Sequence, residues 1–411
     1  MNFPKNFLWG AVTSSHQVEG NNINNDWWAW EQAGKTKERS QEAARHFELY
    51  KNDLQSAKEL NHNAHRFSIE WSRIEPKEGK FDEKAVAHYR DVILSLREKN
   101  IEPVVTLHHF TNPKWVYERG GWLNPKISFW FSRYAVLMAE ALGKDVQYWI
   151  TINEPMVFAY QSYFLGIWPP GQKSIKNAWK VVHHLIKAHR IAYREIHKVY
   201  QNKQWPLPKV SIAKNVMVFR ACPKTDNAFC RLGVFLRHQL FNLYFLKKIK
   251  PCLDFIGVNF YARDFISNDK KLNAPLLGMR CNESHGHVER VNALAWDCCP
   301  ECLFEVLCWL KGFQKDILIT ENGTCDDDDR LRFDYVDRHL KEIQRAIEIG
   351  IPIIGYLYWS LLDNFEWHHG FGPRFGLIEV NYKDFSRRPR KSAVLLSKIY
   401  QDPTLIGKIK Y

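Results

Sequence analysis

A chain of 411 residues that is 45% hydrophobic and 25% charged has the composition of a globular protein with a large core, and no linker or low-complexity tract divides it. The formal charge of +13 is dispersed among acids, as in Lys341-Glu342 and Arg345 with Glu348; even the densest cluster, Arg387-Arg388-Pro389-Arg390-Lys391, opens a helical stretch, so no nucleic-acid partner is expected. Met1 to Gly10 lacks a basic stretch followed by an apolar core, and no run of about 18 apolar residues occurs, which excludes a visible signal peptide or membrane span and gives the expectation of a cytoplasmic protein with no membrane partner.

Apolar, β-branched or aromatic runs alternate with longer segments of helical period. In chain order the pattern predicts a strand over 7–13 with a helix near 41–60, then 64–71 with 83–99, 103–108 with 125–142, and 146–152 with 174–200. It continues as 210–215 with 227–248, 255–260 with 300–311, 317–320 with 332–349, and 353–359 with 389–400. Asn124 before Pro125 reads as a helix N-cap with proline at the first helical position. Gly350 after Ile349 reads as the left-handed residue that closes a helix. Alternation of this kind predicts a parallel sheet, and eight units predict one domain, residues 1–411, built as a closed (β/α)8 TIM barrel. Chemistry in such a barrel sits at the carboxyl ends of the strands.

Two strings deliver a glutamate to that rim: Thr151-Ile152-Asn153-Glu154-Pro155 on strand four and Ile319-Thr320-Glu321-Asn322-Gly323 on strand seven. A lone strand-end glutamate is most simply a salt-bridge partner. Two of them, each beside an asparagine, suit the cleavage of a glycosidic bond. One carboxyl must arrive protonated to donate to the leaving oxygen, and the other ionised to attack or to activate water. Gln17 follows strand one, Arg66 lies in strand two, and His108 and His109 end strand three. Asn259 and Tyr261 end strand six, Trp359 ends strand eight, and Glu366 and Trp367 lie in the loop beyond. Singly, these are a core histidine, a barrel tryptophan or a capping asparagine; their convergence on one rim predicts a polar pocket. The chain has 16 tryptophans, whose faces suit the C–H faces of sugars, but most of them, including Trp27, Trp28 and Trp30, read as packing.

Nine cysteines without a signal peptide predict thiols rather than disulfides. Cys298, Cys299, Cys302 and Cys308 crowd one region, with His285 and His287 upstream. Cys299-Pro300-Glu301-Cys302 is a CxxC, but no second CxxC or spaced histidine pair completes a zinc set, so the expectation is a helix start carrying buried thiols and no metal.

Over nearly its whole length the chain resembles the family 1 glycoside hydrolases, the β-glucosidase and β-galactosidase group. The matching strings are Phe7-Leu8-Trp9-Gly10-Ala11 through Gln17-Val18-Glu19-Gly20, Arg66-Phe67-Ser68-Ile69-Glu70-Trp71-Ser72-Arg73-Ile74 and Thr106-Leu107-His108-His109-Phe110. They go on with Asn153-Glu154-Pro155, Thr320-Glu321-Asn322-Gly323 and Trp359-Ser360-Leu361-Leu362-Asp363-Asn364-Phe365-Glu366-Trp367. The resemblance implies that Glu154 is the acid/base and Glu321 the nucleophile, supported by Arg66, Asn259 and Tyr261. Asn153 would bond the sugar 2-hydroxyl, Gln17, His109, Glu366 and Trp367 the others, and Trp359 would form a stacking floor. It also implies a cis peptide between Trp359 and Ser360, and carboxyl groups ~5–5.5 Å apart.

Phe110 and Met156 stand where family members commonly or often carry tryptophan, and the chain is short between Tyr261 and Cys298; these departures touch the leaving-group side of the cleft. Myrosinase-like members replace the acid/base with glutamine, and phospho-sugar branches lack the Glu366-Trp367 pair, so neither branch is expected. The implied activity is a retaining β-glycosidase without cofactor. It would hydrolyse an unphosphorylated β-D-glycoside or short oligosaccharide through a covalent glycosyl-enzyme. The motifs leave the glycone open among glucose, galactose, fucose and mannose. A transglycosylase would use the same two carboxylates. A sugar-binding pseudoenzyme would have lost one of them, and a metal-dependent barrel lyase would need a lysine or a metal cluster at the strand ends.

Overall fold

Strands that are apolar on both faces need cover on both; here helices cover the outside and the strands' own side chains fill the inside. The computed structural model describes residues 3–272, 275–287 and 291–411. The barrel strands are β1 (Leu8–Val12), β2 (Ala64–Ser68), β3 (Glu102–His108), β4 (Tyr148–Asn153), β5 (Lys209–Asn215), β6 (Phe255–Asn259), β7 (Asp316–Asn322) and β8 (Ile353–Trp359). Each pairs in parallel with its sequence neighbour, and β1 meets β8 from Leu8↔Gly355 to Val12↔Trp359, which closes the ring. Val12, Ala64, Val104, Ile150, Ala213, Leu318 and Leu357 cluster inside the barrel. Val105, Leu107, Trp149, Ile212, Ile256 and Ile319 face outward into the larger core beneath the helices. Among the described residues no helix is long and apolar enough to cross a membrane.

The departures from the expected elements are local. The first long helix is His46–Glu59 rather than starting at 41, because Gln41, Ala43 and Arg45 adopt φ of 43°, 46° and 52°, outside the right-handed helical region. The helix expected from Pro125 is Ile127–Leu142; Asn124 Oδ1 accepts from the Lys126 amide at 2.8 Å, capping the turn before it. The stretch 227–248 is interrupted: Ala228–Arg237 and Tyr244–Ile249 flank a π-helical turn, His238–Leu243. Pro389 belongs to the strand Arg387–Pro389, antiparallel to Ile378–Val380, so the last long helix is Lys391–Gln401. Gly350 adopts the expected left-handed conformation, with φ 77°. The basic run is ion-paired: Arg387 with Asp53, Arg388 with Glu379 and Arg390 with Asp363.

Cys299 and Cys302 form a disulfide, against the expectation of thiols alone. Cys299 caps the helix Pro300–Lys311, and one helical turn brings the two Cα atoms to 5.5 Å, a span a disulfide bridges. Beyond the ends of β5 and β6 the chain adds the strands Val218–Ala221, Arg263–Ser267 and Met279–Arg280, a three-stranded sheet with Arg263–Ser267 in the centre.

Candidate active site

Both strand-end glutamates sit where a strand loses its regular register. The pairing of β4 with β5 shifts between Ile150 and Asn153, and that of β7 with β6 shifts between Ile319 and Glu321. Such irregularities re-aim side chains at strand ends. Glu154 directly follows β4 at φ 44°, where it precedes the helix Pro155–Ala159, and its amide donates to the Ala213 carbonyl at 2.7 Å. Glu321 is the next-to-last residue of β7.

Arg66 is fully buried and ties four strands together. Its Nε donates to Thr106 Oγ1 at 3.0 Å, one Nη to Glu321 Oε1 at 2.5 Å, and the other to Asn153 Oδ1 at 2.7 Å. The Tyr261 hydroxyl donates to the second Glu321 oxygen at 2.5 Å. Asn259 accepts from Thr320 Oγ1 at 2.7 Å, which orients its amide; Nδ2 then donates to Glu154 Oε1 at 2.8 Å and to Asn153 Oδ1 at 3.2 Å. Asn153 Oδ1 is thus shared by Arg66 and Asn259, and its Nδ2 turns to His109 Nε2 at 3.2 Å.

The remaining expected residues line the same rim. Gln17 Nε2 donates to Glu366 Oε2 at 3.1 Å and to Asn364 Oδ1 at 2.9 Å. The His109 ring lies nearly parallel to Trp359, with centroids 5.8 Å apart, and to Trp367 at 6.2 Å. The Trp359–Ser360 peptide is cis. Gln17 Oε1, His109 Nδ1 and Asn215 Oδ1 are buried and lack a hydrogen-bond partner among the described residues. Of the residues named at the rim from the sequence, Gln17, Arg66, His109, Asn153, Glu154, Asn259, Tyr261, Glu321, Trp359, Glu366 and Trp367 are gathered at one end of the barrel. His108 is not part of this group: it lies 3.1 Å from Asn112 Oδ1, packs against Trp122, and burial brings its imidazole down to about 4.

The carboxyls stand in unequal surroundings. Burial, then the neighbouring Glu321 charge, pushes Glu154 up to about 7, while the Asn259 and Asn215 amides act against the rise. Burial followed by the Glu321 and Glu154 charges pushes Glu366 up to about 8. Burial also raises Glu321, but there the Arg66 guanidinium and the Tyr261 hydroxyl favour the charged form. Burial and the Arg66 charge hold His109 well below the ordinary imidazole value, so its ring is neutral.

Some neighbours were not singled out from the sequence. Asn215 ends β5 and donates to Glu154 Oε1 at 3.1 Å; the strand-end rule that found Asn259 reaches it equally. Lys214 beside it is buried, and desolvation lowers its ammonium to about 7. Trp168 packs on Phe110 at 4.9 Å and Trp367 at 5.7 Å. Trp168 stands in a loop, and no local pattern marks it. The cysteines pair and cluster otherwise than the local spacing suggested. Cys299 and Cys302 bond to each other, while Cys222 and Cys281, far apart in sequence, converge with His285 and His287.

Glycosyl hydrolase family 1 matches residues 1–247 and 237–403 of the chain. A β-glycosidase from Pyrococcus horikoshii is 38% identical and superposes with a TM-score of 0.88, covering 98% of this chain and 97% of that one. Beta-glucosidase 42 of Arabidopsis thaliana is 33% identical over 97% of this chain and 94% of its own length. A Thermotoga maritima β-glucosidase solved in complex with glucoimidazole is 29% identical, with a TM-score of 0.88 over 97% of this chain and 98% of that one. A barrel with two carboxyls at its rim, and likeness of this extent in both sequence and structure, place the chain in glycosyl hydrolase family 1, as a β-glycosidase.

Proposed function

We propose that the protein hydrolyses unphosphorylated β-D-glycosides with retention of configuration, Glu321 acting as nucleophile and Glu154 as acid/base. The observation that carries this reading is the unequal pair: Glu321 holds a guanidinium and a phenol, and Glu154 only amides. Near neutral pH the first is the carboxyl better able to keep its charge and the second the one better able to keep its proton. Glu321 attacks the anomeric carbon from the face opposite the aglycone. The new C–O bond forms as the glycosidic bond breaks, and the leaving oxygen takes the Glu154 proton. Esterification removes the Glu321 charge, so the proton affinity of Glu154 falls. Glu154 then takes a proton from water, whose oxygen attacks the same carbon and releases Glu321.

Gln17 and Glu366 offer a fixed amide and carboxyl to adjacent sugar hydroxyls, and His109 and Asn153 offer further donors and acceptors. The buried unpartnered atoms of Gln17 and His109 support this assignment. Glu366, a carboxyl beside Gln17 rather than a cation, disfavours a phosphorylated sugar at this end.

Two measurements test the reading. An aryl 2-deoxy-2-fluoro-β-D-glucoside should arrest the enzyme with one sugar per chain, and peptide mapping should place it on Glu321. NMR of the first product formed from an aryl β-D-glucoside should show the β anomer. Label on Glu154, or an α anomer, would contradict the proposal. An added alcohol measures how far the glycosyl-enzyme is diverted to transglycosylation.

A further inference from the structure

Away from the rim carboxyls, Cys222, Cys281, His285 and His287 bring four ligand atoms within 4.8 Å of one another. The three-stranded sheet does this. Cys222 directly follows Val218–Ala221 and Cys281 directly follows Met279–Arg280, the strands on either side of Arg263–Ser267. A single helical turn, Asn282–His285, leads from Cys281 to His285, and Gly286 at φ 59° reverses the chain so that His287 returns to the same point. Cys222 Sγ lies 3.1 Å from His285 Nδ1 and 2.9 Å from His287 Nε2. Both cysteines are buried.

The donor set is two sulfurs and two imidazole nitrogens, with no oxygen. That combination suits tetrahedral zinc and not magnesium or calcium, which take oxygen ligands. The other nitrogen of His285, Nε2, lies 3.3 Å from Asp269 Oδ2. A carboxylate behind a ligating imidazole fixes its tautomer, leaving Nδ1 as the lone-pair donor. Tetrahedral bonds of about 2.0–2.3 Å put the ligand atoms about 3.3–3.8 Å apart, so small side-chain shifts would admit the ion.

We infer that Cys222, Cys281, His285 and His287 form a structural zinc site that clamps the sheet extending from β5 and β6. Binding forms two Zn–S and two Zn–N bonds and releases the two thiol protons to solvent. With four protein ligands the site has no open position, so it acts through stability and not on the glycoside. Two strands of that sheet, Val218–Ala221 and the central Arg263–Ser267, begin a few residues beyond Asn215 and Tyr261, the partners of Glu154 and Glu321.

The full chain, untagged, purified without air and dialysed with excess zinc and then against buffer, should hold one zinc by elemental analysis. X-ray absorption should show two sulfurs at about 2.3 Å and two nitrogens at about 2.0–2.1 Å. Cobalt in its place should give tetrahedral visible bands and thiolate charge transfer. Cys222→Ser combined with His287→Ala should lose the metal and the cobalt spectrum, yet keep aryl β-D-glucosidase activity at room temperature. A chelator should lower the thermal midpoint of the unsubstituted chain and leave that of the double variant unchanged. Failure of the unsubstituted chain to take up zinc or cobalt, an unchanged cobalt spectrum in the double variant, or a Cys222–Cys281 disulfide in air-free protein would overturn the inference. The uptake and absorption measurements decide it even where the double variant does not fold.

Discussion

At the scale of single residues, the difference between Glu154 and Glu321 lies in what each oxygen touches. Arg66 and Tyr261 take both oxygens of Glu321, whereas Asn259 and Asn215 share one oxygen of Glu154. Two outcomes follow if the proposed roles hold. Glu154→Ala should spare the first step when the leaving group is dinitrophenolate, and added azide should restore turnover and yield the β-glycosyl azide. Glu321→Ala should stop normal turnover, and azide should yield the α product. The same azide anomer from both variants, read by NMR, would rule out the assignment. The pH profile is a second check. With Glu154 at about 7, kcat/KM should fall as pH rises through that value, because the donated proton is lost. Asn215→Ala removes a donor that favours the charged form. The basic limb should therefore move upward, by roughly half a unit to one unit; a downward move would mean that Asn215 does not act on Glu154.

At the scale of elements, the end of β7 is held against β8 by close approach. A Cβ on Gly323 would come within 1.9 Å of the Trp359 carbonyl oxygen, so this position admits no side chain without displacing one strand end from the other. Glu321 stands two residues before it and Trp359 is a floor candidate, so the displacement reaches the reacting centre. Gly323→Ala is expected to keep the far-UV circular dichroism of the barrel while lowering kcat/KM by about 10²-fold, the cost of roughly an ångström of misplacement. Wild-type kinetics in a folded Gly323→Ala enzyme would show that the strand ends are looser than the packing indicates. Elements also explain the differences between expected and observed helices. Periodicity marks the apolar face of 41–60, but three left-handed residues within 41–45 form turns there, a conformation periodicity does not report.

At the scale of the whole molecule, Asp363 joins the loop after β8 to the carboxyl-terminal strands. It is fully buried, receives Arg390 at 2.8 Å and 3.0 Å, and accepts the Gly376 amide at 2.9 Å. Asp363→Ala leaves the Arg390 guanidinium without that partner and should destabilise the fold by about 3–5 kcal/mol, measured by urea unfolding. A loss below about 1 kcal/mol would place the pair among surface-like contacts. The buried carboxyls set a pH dependence of stability as well. Glu366, at about 8 in the folded chain against an ordinary 4.5, binds its proton more tightly when folded. Its contribution is complete below the unfolded value and is lost as pH rises through about 8. Glu366→Gln should therefore flatten the decline of the thermal midpoint between about pH 5 and pH 9, at the expense of activity. An equally steep decline in the variant would assign the effect to other groups.

The barrel, its strand order and the kinds of residue at its rim were legible in the sequence, because they rest on periods and runs that neighbouring residues carry by themselves. Strand β8, expected over 353–359, is found at Ile353–Trp359, and Glu154 and Glu321 were marked by the apolar strands that lead into them. What only the tertiary structure decided concerns partners far apart in the chain. Arg66 meets Glu321 across 255 positions because barrel closure brings β2 and β7 over one centre. Asn215 reaches Glu154 because β5 lies beside β4 with a shifted register. The pairing of Cys299 with Cys302 depends on the turn at a helix start. The meeting of Cys222 and Cys281 with His285 and His287 depends on strands that pair beyond the barrel. Periodicity specifies which face of an element is buried. Which atoms meet across that burial is set by register, loop path and closure, and these exist only once the chain has packed.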